Sequence, residues 1–335
     1  MNLLRRVQHY PRLKDWSLIS RLQKTGVSLV EVERCRTARM IRLPRLSVEI
    51  DLEGELWMLM EYSRALDLVQ RCGARFERVA DGQILVTING VRANLQTAEE
   101  VYMLWEIYMQ NVYAFAFAQP VVVWDVGMNV GLASLYFASH YHCPVLGYEL
   151  FPQTFEQTQR NLTLNPELRP LVRGFNYGLG VARLDADLPY FSEKRGSLGF
   201  HYDDRISNVY SNACMTRVRV EPASSALQTI LAEFPDRAVV AKLDCEGAEY
   251  DILEDLRSEE LLRKVPLWMV EWHRRGEGHE PSKLSRIFQD AGFAVLERDR
   301  FEREYGMIYA VKSGGAPVRR HQSPSLNEPK AWHGD

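Results

Sequence analysis

The chain is poor in cysteine, and the few it has are scattered. Cys35, Cys72, Cys143, Cys214 and Cys245 are odd in number and never spaced C-x-x-C, which argues against a disulfide framework and against the usual zinc-ligand patterns. Such usage suits a reducing compartment, and a cytoplasmic location is the expectation. No charge of one sign dominates. With 41 Lys and Arg against 44 Asp and Glu, the formal net charge is -3, so capture of nucleic acid by bulk charge is not expected. Long apolar runs are missing as well. The most apolar window, residues 101–124, is interrupted by Glu106, Gln110, Asn111 and Pro120, which spoils it as a membrane span. Residues 1–6 carry Arg5 and Arg6 with no apolar core behind them, so no signal peptide is expected.

At 335 residues the chain is long enough to bury a large core and to carry a second, smaller one. Its clearest feature is residues 121–134. The apolar run 121–124 reads as a strand buried on both faces, and Asp125 stands at its carboxyl end. Gly127 and Gly131 bracket a turn, after which Leu132, Leu135 and Tyr136 recur at helical spacing. A strand, a glycine turn and a helix form the cradle that open α/β sheets offer to nucleotides.

Three further strand ends carry chemistry. Tyr148-Glu149 closes a second apolar run and lies 22 residues after Gly127, the place where a carboxylate meets ribose hydroxyls. Asn176, beside Gly178 and Gly180, suits recognition of a flat base. The run 238–243 contains Lys242 and ends in Asp244, followed by Glu246 and Glu249. Crowded carboxylates raise one another's pKa, although Glu246 and Glu249 are equally read as acids at a helix start. Residues 266–273 end in Glu271 and His273, two apart and so on one face.

Before residue 112 the pattern is different. Residues 46–51 alternate as a strand and 52–68 have helical spacing. Runs at 75–79, 84–88 and 91–95, separated by Asp81-Gly82 and Asn89-Gly90, predict a small β-meander. Thr97 and Glu100 form a capping box that opens a helix to about residue 110. Tyr113 then reads as a packed aromatic, with a place in the cofactor or substrate wall as the lesser alternative. Residues 181–215 have no long helical period and suggest a hairpin followed by a lid, with His201 in it. The expected division is an accessory region over 1–111, a catalytic domain over 112–312 and a disordered tail over 313–335.

Four segments, Trp124-Asp-Val-Gly-Met-Asn-Val-Gly131, Tyr148-Glu149 with Pro152, Lys242-Leu-Asp-Cys-Glu-Gly-Ala-Glu249 and Val270-Glu-Trp-His273, resemble in order and spacing the FkbM-type S-adenosylmethionine-dependent methyltransferases. Met128, the pair Leu150-Phe151 before the proline, and Gln228 depart from the family's usual residues. The resemblance implies an α/β fold: a seven-stranded, mostly parallel Rossmann-like sheet with helices on both faces, beside the N-terminal α+β region. It implies O-methylation of a small-molecule or saccharide hydroxyl, and cofactor contacts at Asp125, Gly127, Asn129, Gly131 and Glu149. Asn176 joins them from its strand-end position.

The rival is an NAD-dependent oxidoreductase. A dinucleotide site wants G-x-G-x-x-G, because a pyrophosphate comes almost onto the backbone, and Asn129 and Leu132 occupy the second and third of those positions. A non-catalytic S-adenosylmethionine-binding regulatory protein is the other alternative. For catalysis, His273, Asp244 and Glu271 are the candidate bases, His273 first on its intrinsic pKa. A divalent ion held by the same three residues is the less favoured version, because hard cations need several oxygen ligands and the spacing does not name them. Homo-oligomer formation stays open.

Overall fold

The structure, a computed structural model, describes residues 22, 27, 31–35, 40–52, 54–79, 83–199, 213–276, 278–299 and 303–312. The expectations for the basic N-terminus, Asp81-Gly82, His201 and the tail fall outside them. The first part of the chain holds two antiparallel sheets. One comprises β1 (Glu33–Arg34), β2 (Met40–Leu43) and β3 (Val48–Asp51). The other is the expected meander, β4 (Arg75–Arg78), β5 (Ile84–Ile88) and β6 (Val91–Leu95). Between them lies helix α1 (Tyr62–Cys72), which begins later than the apolar spacing suggests because a 3-10 turn occupies Leu56–Leu59. Asn89 and Gly90 both take positive φ in the tight turn between β5 and β6, which is why that dipeptide marks a hairpin.

Helix α2 (Ala98–Trp105) carries the expected capping box, with Glu100 Oε2 accepting from the backbone N–H of Thr97 at 3.4 Å and also from that of Gln96 at 2.5 Å. The helical path reaches Gln110 as expected, but Glu106–Gln110 widens into a π-helical turn. Such turns push a residue out of the regular ladder and recur at functional sites.

The central sheet then forms from seven strands: β7 (Val121–Val126), β8 (Val145–Tyr148), β9 (Val172–Phe175), β13 (Ala238–Leu243), β14 (Leu267–His273), β15 (Phe293–Glu297) and β16 (Tyr305–Lys312). A small sheet, β10 (Gly178–Gly180), β11 (Leu184–Tyr190) and β12 (Cys214–Pro222), intervenes, and β11 and β12 pair as the expected hairpin. The central order is β15-β16-β14-β13-β7-β8-β9, and β16 is the one strand antiparallel to its neighbours. Fold class and strand number are as the resemblance implies.

Every residue of β7 is buried. Val121 and Val123 pack on one face with α3 (Leu132–Tyr141), while Val122, Trp124 and Val126 pack on the other with α5 (Ala223–Glu233) and α6 (Glu249–Ser258). Helix α4 (Pro152–Thr163) starts on its proline, and α7 (Pro281–Asp290) does the same.

The N-terminal region joins the first of these cores without a break, Leu43, Val86 and Leu104 packing in the same cluster as Val123 and Leu135. Its junction with the sheet is polar. Strand β6 has a backbone edge unpaired by any strand among the described residues, and Gln157 and Asn161 on one face of α4, with Asn165 just past its end, satisfy it. Asn161 and Asn165 accept from the N–H of Asn94 and Arg92, each at 2.8 Å, and Gln157 donates to the carbonyl of Asn94 at 2.9 Å. Buried amides in that register lock the meander against α4.

Candidate active site

Strand order reverses between β7 and β13, since the chain runs from β7 outward to β8 and β9 and then returns to β13 on the other side. Ligands of open α/β sheets bind at such a switch point, outside the carboxyl ends of the strands. Gly127 follows β7 there with φ +75°, and a Cβ on it would sit 1.7 Å from the carbonyl oxygen of Asp244. The glycine is therefore demanded by the neighbouring strand end as much as by any ligand. Asn129 also takes positive φ, and Gly131 caps α3 at φ +85° against the side chain of Thr158. Met128 is buried, its sulfur filling the space beside Gly147.

Asp125 lies beneath this turn and not in the cleft. It is 0% exposed, with Oδ2 accepting from Ser134 Oγ at 2.6 Å and Oδ1 3.1 Å from Lys242 Nζ. Lys242 in turn donates to the carbonyl of Gly127 at 2.6 Å. Burial alone would lower the lysine pKa, but Asp125 and Asp244 more than offset it and the net shift is upward. The cation inside the apolar strand thus has a local reason: it ties Asp125 to the glycine turn.

Glu149 does face the cleft. Oε2 accepts from the N–H of Asn129 at 3.0 Å and Oε1 from the N–H of Phe151 at 2.9 Å, which leaves further lone pairs for a ligand. Burial pushes this carboxyl up to about 7, against both backbone N–H groups. Gly127, Asn129, Glu149 and Asp244 line one cleft, with Leu198 and Gly199 on its far wall. Asp125, Gly131 and Asn176 do not line it. Asn176 donates to the carbonyl of Glu149 at 3.0 Å and so braces the strand end.

Asp244 also lines a second cleft, with Glu106, Tyr113 and Asn129. Tyr113 donates from its hydroxyl to Asp244 Oδ2 at 3.3 Å, so its role goes beyond packing. Burial, with Asp244 nearby and against a hydrogen bond from Tyr102, pushes Glu106 up to about 7.

His273 is ringed by acids. Its Nε2 lies 3.6 Å from Glu246 Oε1, 3.9 Å from Glu271 Oε1 and 4.0 Å from Asp244 Oδ1, and its Nδ1 is 3.3 Å from Glu249 Oε1. Glu249 also accepts from the His273 backbone N–H at 2.6 Å. Burial alone would lower the imidazole pKa. The contact with Glu249 and the charges of Glu271 and Asp244 win, and the group is pushed up to about 9. The surrounding carboxylates thus favour its protonated form. Burial and then Asp244 hold the Glu271 carboxyl well above the usual carboxylate range.

A loop reaches over the first cleft from the end of β11. Arg195 is buried against Glu100, 3.5 Å away, and donates to Gln96 at 3.0 Å. Glu99 accepts from Lys194 at 3.0 Å, from the Gly196 N–H at 2.9 Å and from Ser197 at 3.1 Å. Gly199 comes so close that a Cβ would lie 2.6 Å from Glu246 Cβ. Residues 194–197, within the stretch expected to hold a lid, are latched to α2, and residues 200–212 of that stretch lie outside the described residues. Glu99, Arg195 and Glu106 were not legible as site residues. Their one local signal is an acid or arginine without an obvious partner, and the partners lie far off in sequence.

The residue pattern of the methyltransferase FkbM domain family matches residues 125–295. A protein of Beauveria bassiana (strain ARSEF 2860) described as methyltransferase 1 is 28% identical over 166 residues. That match takes in 46% of this chain and 66% of the relative, just under two thirds of its length. Among solved structures, a methyltransferase FkbM from Methylobacillus flagellatus KT is similar at a TM-score of 0.39 and 13% identity, covering 76% of this chain and 59% of that one. The N-terminal domain of human METTL16, solved with S-adenosylhomocysteine, gives 0.37 and 12% identity over 80% of this chain and 90% of its own.

Proposed function

This chain belongs to the FkbM methyltransferase family, and from that premise we propose that it moves the methyl group of S-adenosylmethionine to a hydroxyl oxygen of a small-molecule or saccharide acceptor. The observation that carries the reading is the position of Asp244, which lines both the cleft of Glu149 and the cleft of Tyr113 and Glu106. A carboxylate suited to a nucleoside and a cluster of proton acceptors therefore meet along one edge of the sheet. The cofactor fits the first cleft on the evidence of Glu149: a buried carboxylate, fixed by two backbone amides, with no ion pair among the described residues and lone pairs left for the two ribose hydroxyls. When bound, it supplies a methyl group already activated on a sulfonium.

The work left to the protein is alignment and proton removal. The acceptor oxygen forms its bond to the methyl carbon as the carbon–sulfur bond breaks toward sulfur. The hydroxyl proton passes to one carboxylate, Asp244 or Glu271, at the ends of β13 and β14. Gly127 and Asn129 hold the turn against Glu149, and the latched loop excludes water.

Calorimetric titration with S-adenosylhomocysteine, and separately with NAD, tests this. Micromolar binding of the first, lost in Glu149→Ala and retained in Asp244→Asn, is expected, with methyl transfer to a screened acceptor lost in Asp244→Asn. Binding of NAD alone would overturn the reading. Cofactor binding without turnover of any hydroxylated acceptor would favour a regulatory protein.

A further inference from the structure

We propose that Asp244, Glu246 and His273 form a binding site for one divalent transition-metal ion, of the Mn(II) or Zn(II) type. One ligand atom from each residue lies within 4.8 Å of the other two. Nε2 of His273 stands 3.6 Å from Glu246 Oε1 and 4.0 Å from Asp244 Oδ1, too far for hydrogen bonds. Two ligands at about 2.1 Å from a shared ion lie roughly 3 to 4 Å apart, so these spacings suit a common cation.

Two further observations separate this cluster from an ordinary acid patch. The His273 side chain is 7% exposed, yet Nε2 makes no hydrogen bond among the described residues and points among the carboxylate oxygens. The carboxylates around Nε2 favour a proton there, and a cation that takes the place of that proton meets the same charges. Each of the three residues also has its other polar atom held from behind. Asp244 Oδ2 receives Tyr113 at 3.3 Å and faces Lys242 at 3.6 Å, Glu246 Oε2 meets Arg275, and His273 Nδ1 faces Glu249 at 3.3 Å. A carboxylate behind the far nitrogen of an imidazole is the usual outer support of a metal ligand, fixing the ring and raising its basicity. One imidazole with two carboxylates suits Mn(II) or Zn(II) better than Mg(II) or Ca(II), which prefer oxygen alone.

The role of the ion rests on the methyl-transfer reading, although the site does not. Three protein ligands leave open positions, one of which takes the acceptor hydroxyl and lowers its pKa. Asp244 then serves as a ligand. Glu271, whose Oε1 is 3.9 Å from Nε2, is the carboxylate left to receive the proton as the new carbon–oxygen bond forms.

The experiment strips the purified full chain with chelator and titrates it with MnCl2, following heat and the electron paramagnetic resonance of free Mn(II). ZnCl2 is titrated calorimetrically in parallel. One ion per chain at micromolar Kd is expected, weakened about tenfold or more in His273→Ala and in the near-isosteric Glu246→Gln. Every sample is also titrated with S-adenosylhomocysteine, which reports a folded cofactor cleft. If the wild-type chain binds the nucleoside but neither ion below millimolar concentration, the metal site is wrong and the methyl-transfer reading stands. Unchanged ion affinity in both variants would also overturn the site. Single-site ion binding without nucleoside binding would keep the site and remove the role assigned to it.

Discussion

Lys242→Met isolates the structural claim on which the cofactor turn depends. The lysine is 2% exposed, 3.1 Å from the wholly buried Asp125, and donates to the Gly127 carbonyl. Methionine fills similar volume, so little packing is lost. The variant leaves Asp125 as a buried carboxylate whose remaining partner is Ser134. Removing one member of such a pair costs about 3–5 kcal/mol. The double variant Lys242→Met with Asp125→Asn removes the stranded charge and keeps an acceptor for Ser134. What remains is the Gly127 carbonyl without its donor, about 1–3 kcal/mol. The double variant is therefore expected to be about 2 kcal/mol more stable than Lys242→Met alone, and the coupling energy exceeds that difference by the cost of Asp125→Asn alone. Urea unfolding at constant m measures all three, and titration with S-adenosylhomocysteine shows whether the turn keeps its shape. Costs that add to within about 0.5 kcal/mol would refute the reasoning, because they would mean the two groups do not sense each other.

Two other expectations follow from the same strand ends. Gly127→Ala drives a methyl group into the Asp244 backbone at positive φ. A cost of about 1–2 kcal/mol for the conformation and about 1–3 kcal/mol for overpacking is expected in thermal unfolding, and a variant as stable as wild type would contradict the strand-end packing described. Glu149, pushed up to about 7 by burial, is protonated below that pH and ionised above it. Ribose hydroxyls donate better to the ionised form, so nucleoside affinity should rise about tenfold between pH 6 and pH 8. Glu149→Gln should flatten the profile, and an unchanged slope in that variant would place the titrating group elsewhere.

Much of the architecture is written locally. Val121 to Val126 could only be a strand buried on both faces, Asn89-Gly90 could only be a tight turn, and Pro152 opens a helix because it needs no donor there. The carboxyl ends of β7, β8, β13 and β14 bear Asp125, Glu149, Asp244 and His273 because parallel strands deliver their last residues to one edge.

What those residues do was decided by contacts that sequence spacing does not encode. Asp125 and Glu149 have the same strand-end signature, yet register sets Asp125 opposite Lys242 and sinks it beneath the turn, while Glu149 opens onto the cleft. Tyr113 reaches Asp244 across 131 residues, and Arg195 reaches Gln96 across 99. His273 has an ordinary intrinsic pKa, and only the gathering of Glu249, Glu271 and Asp244 around it pushes that value up. Hydrophobic period and turn chemistry act over a few residues and are legible one segment at a time. Protonation and partnership are set by burial and by charges a few ångströms away, and those distances exist only once the strands are side by side.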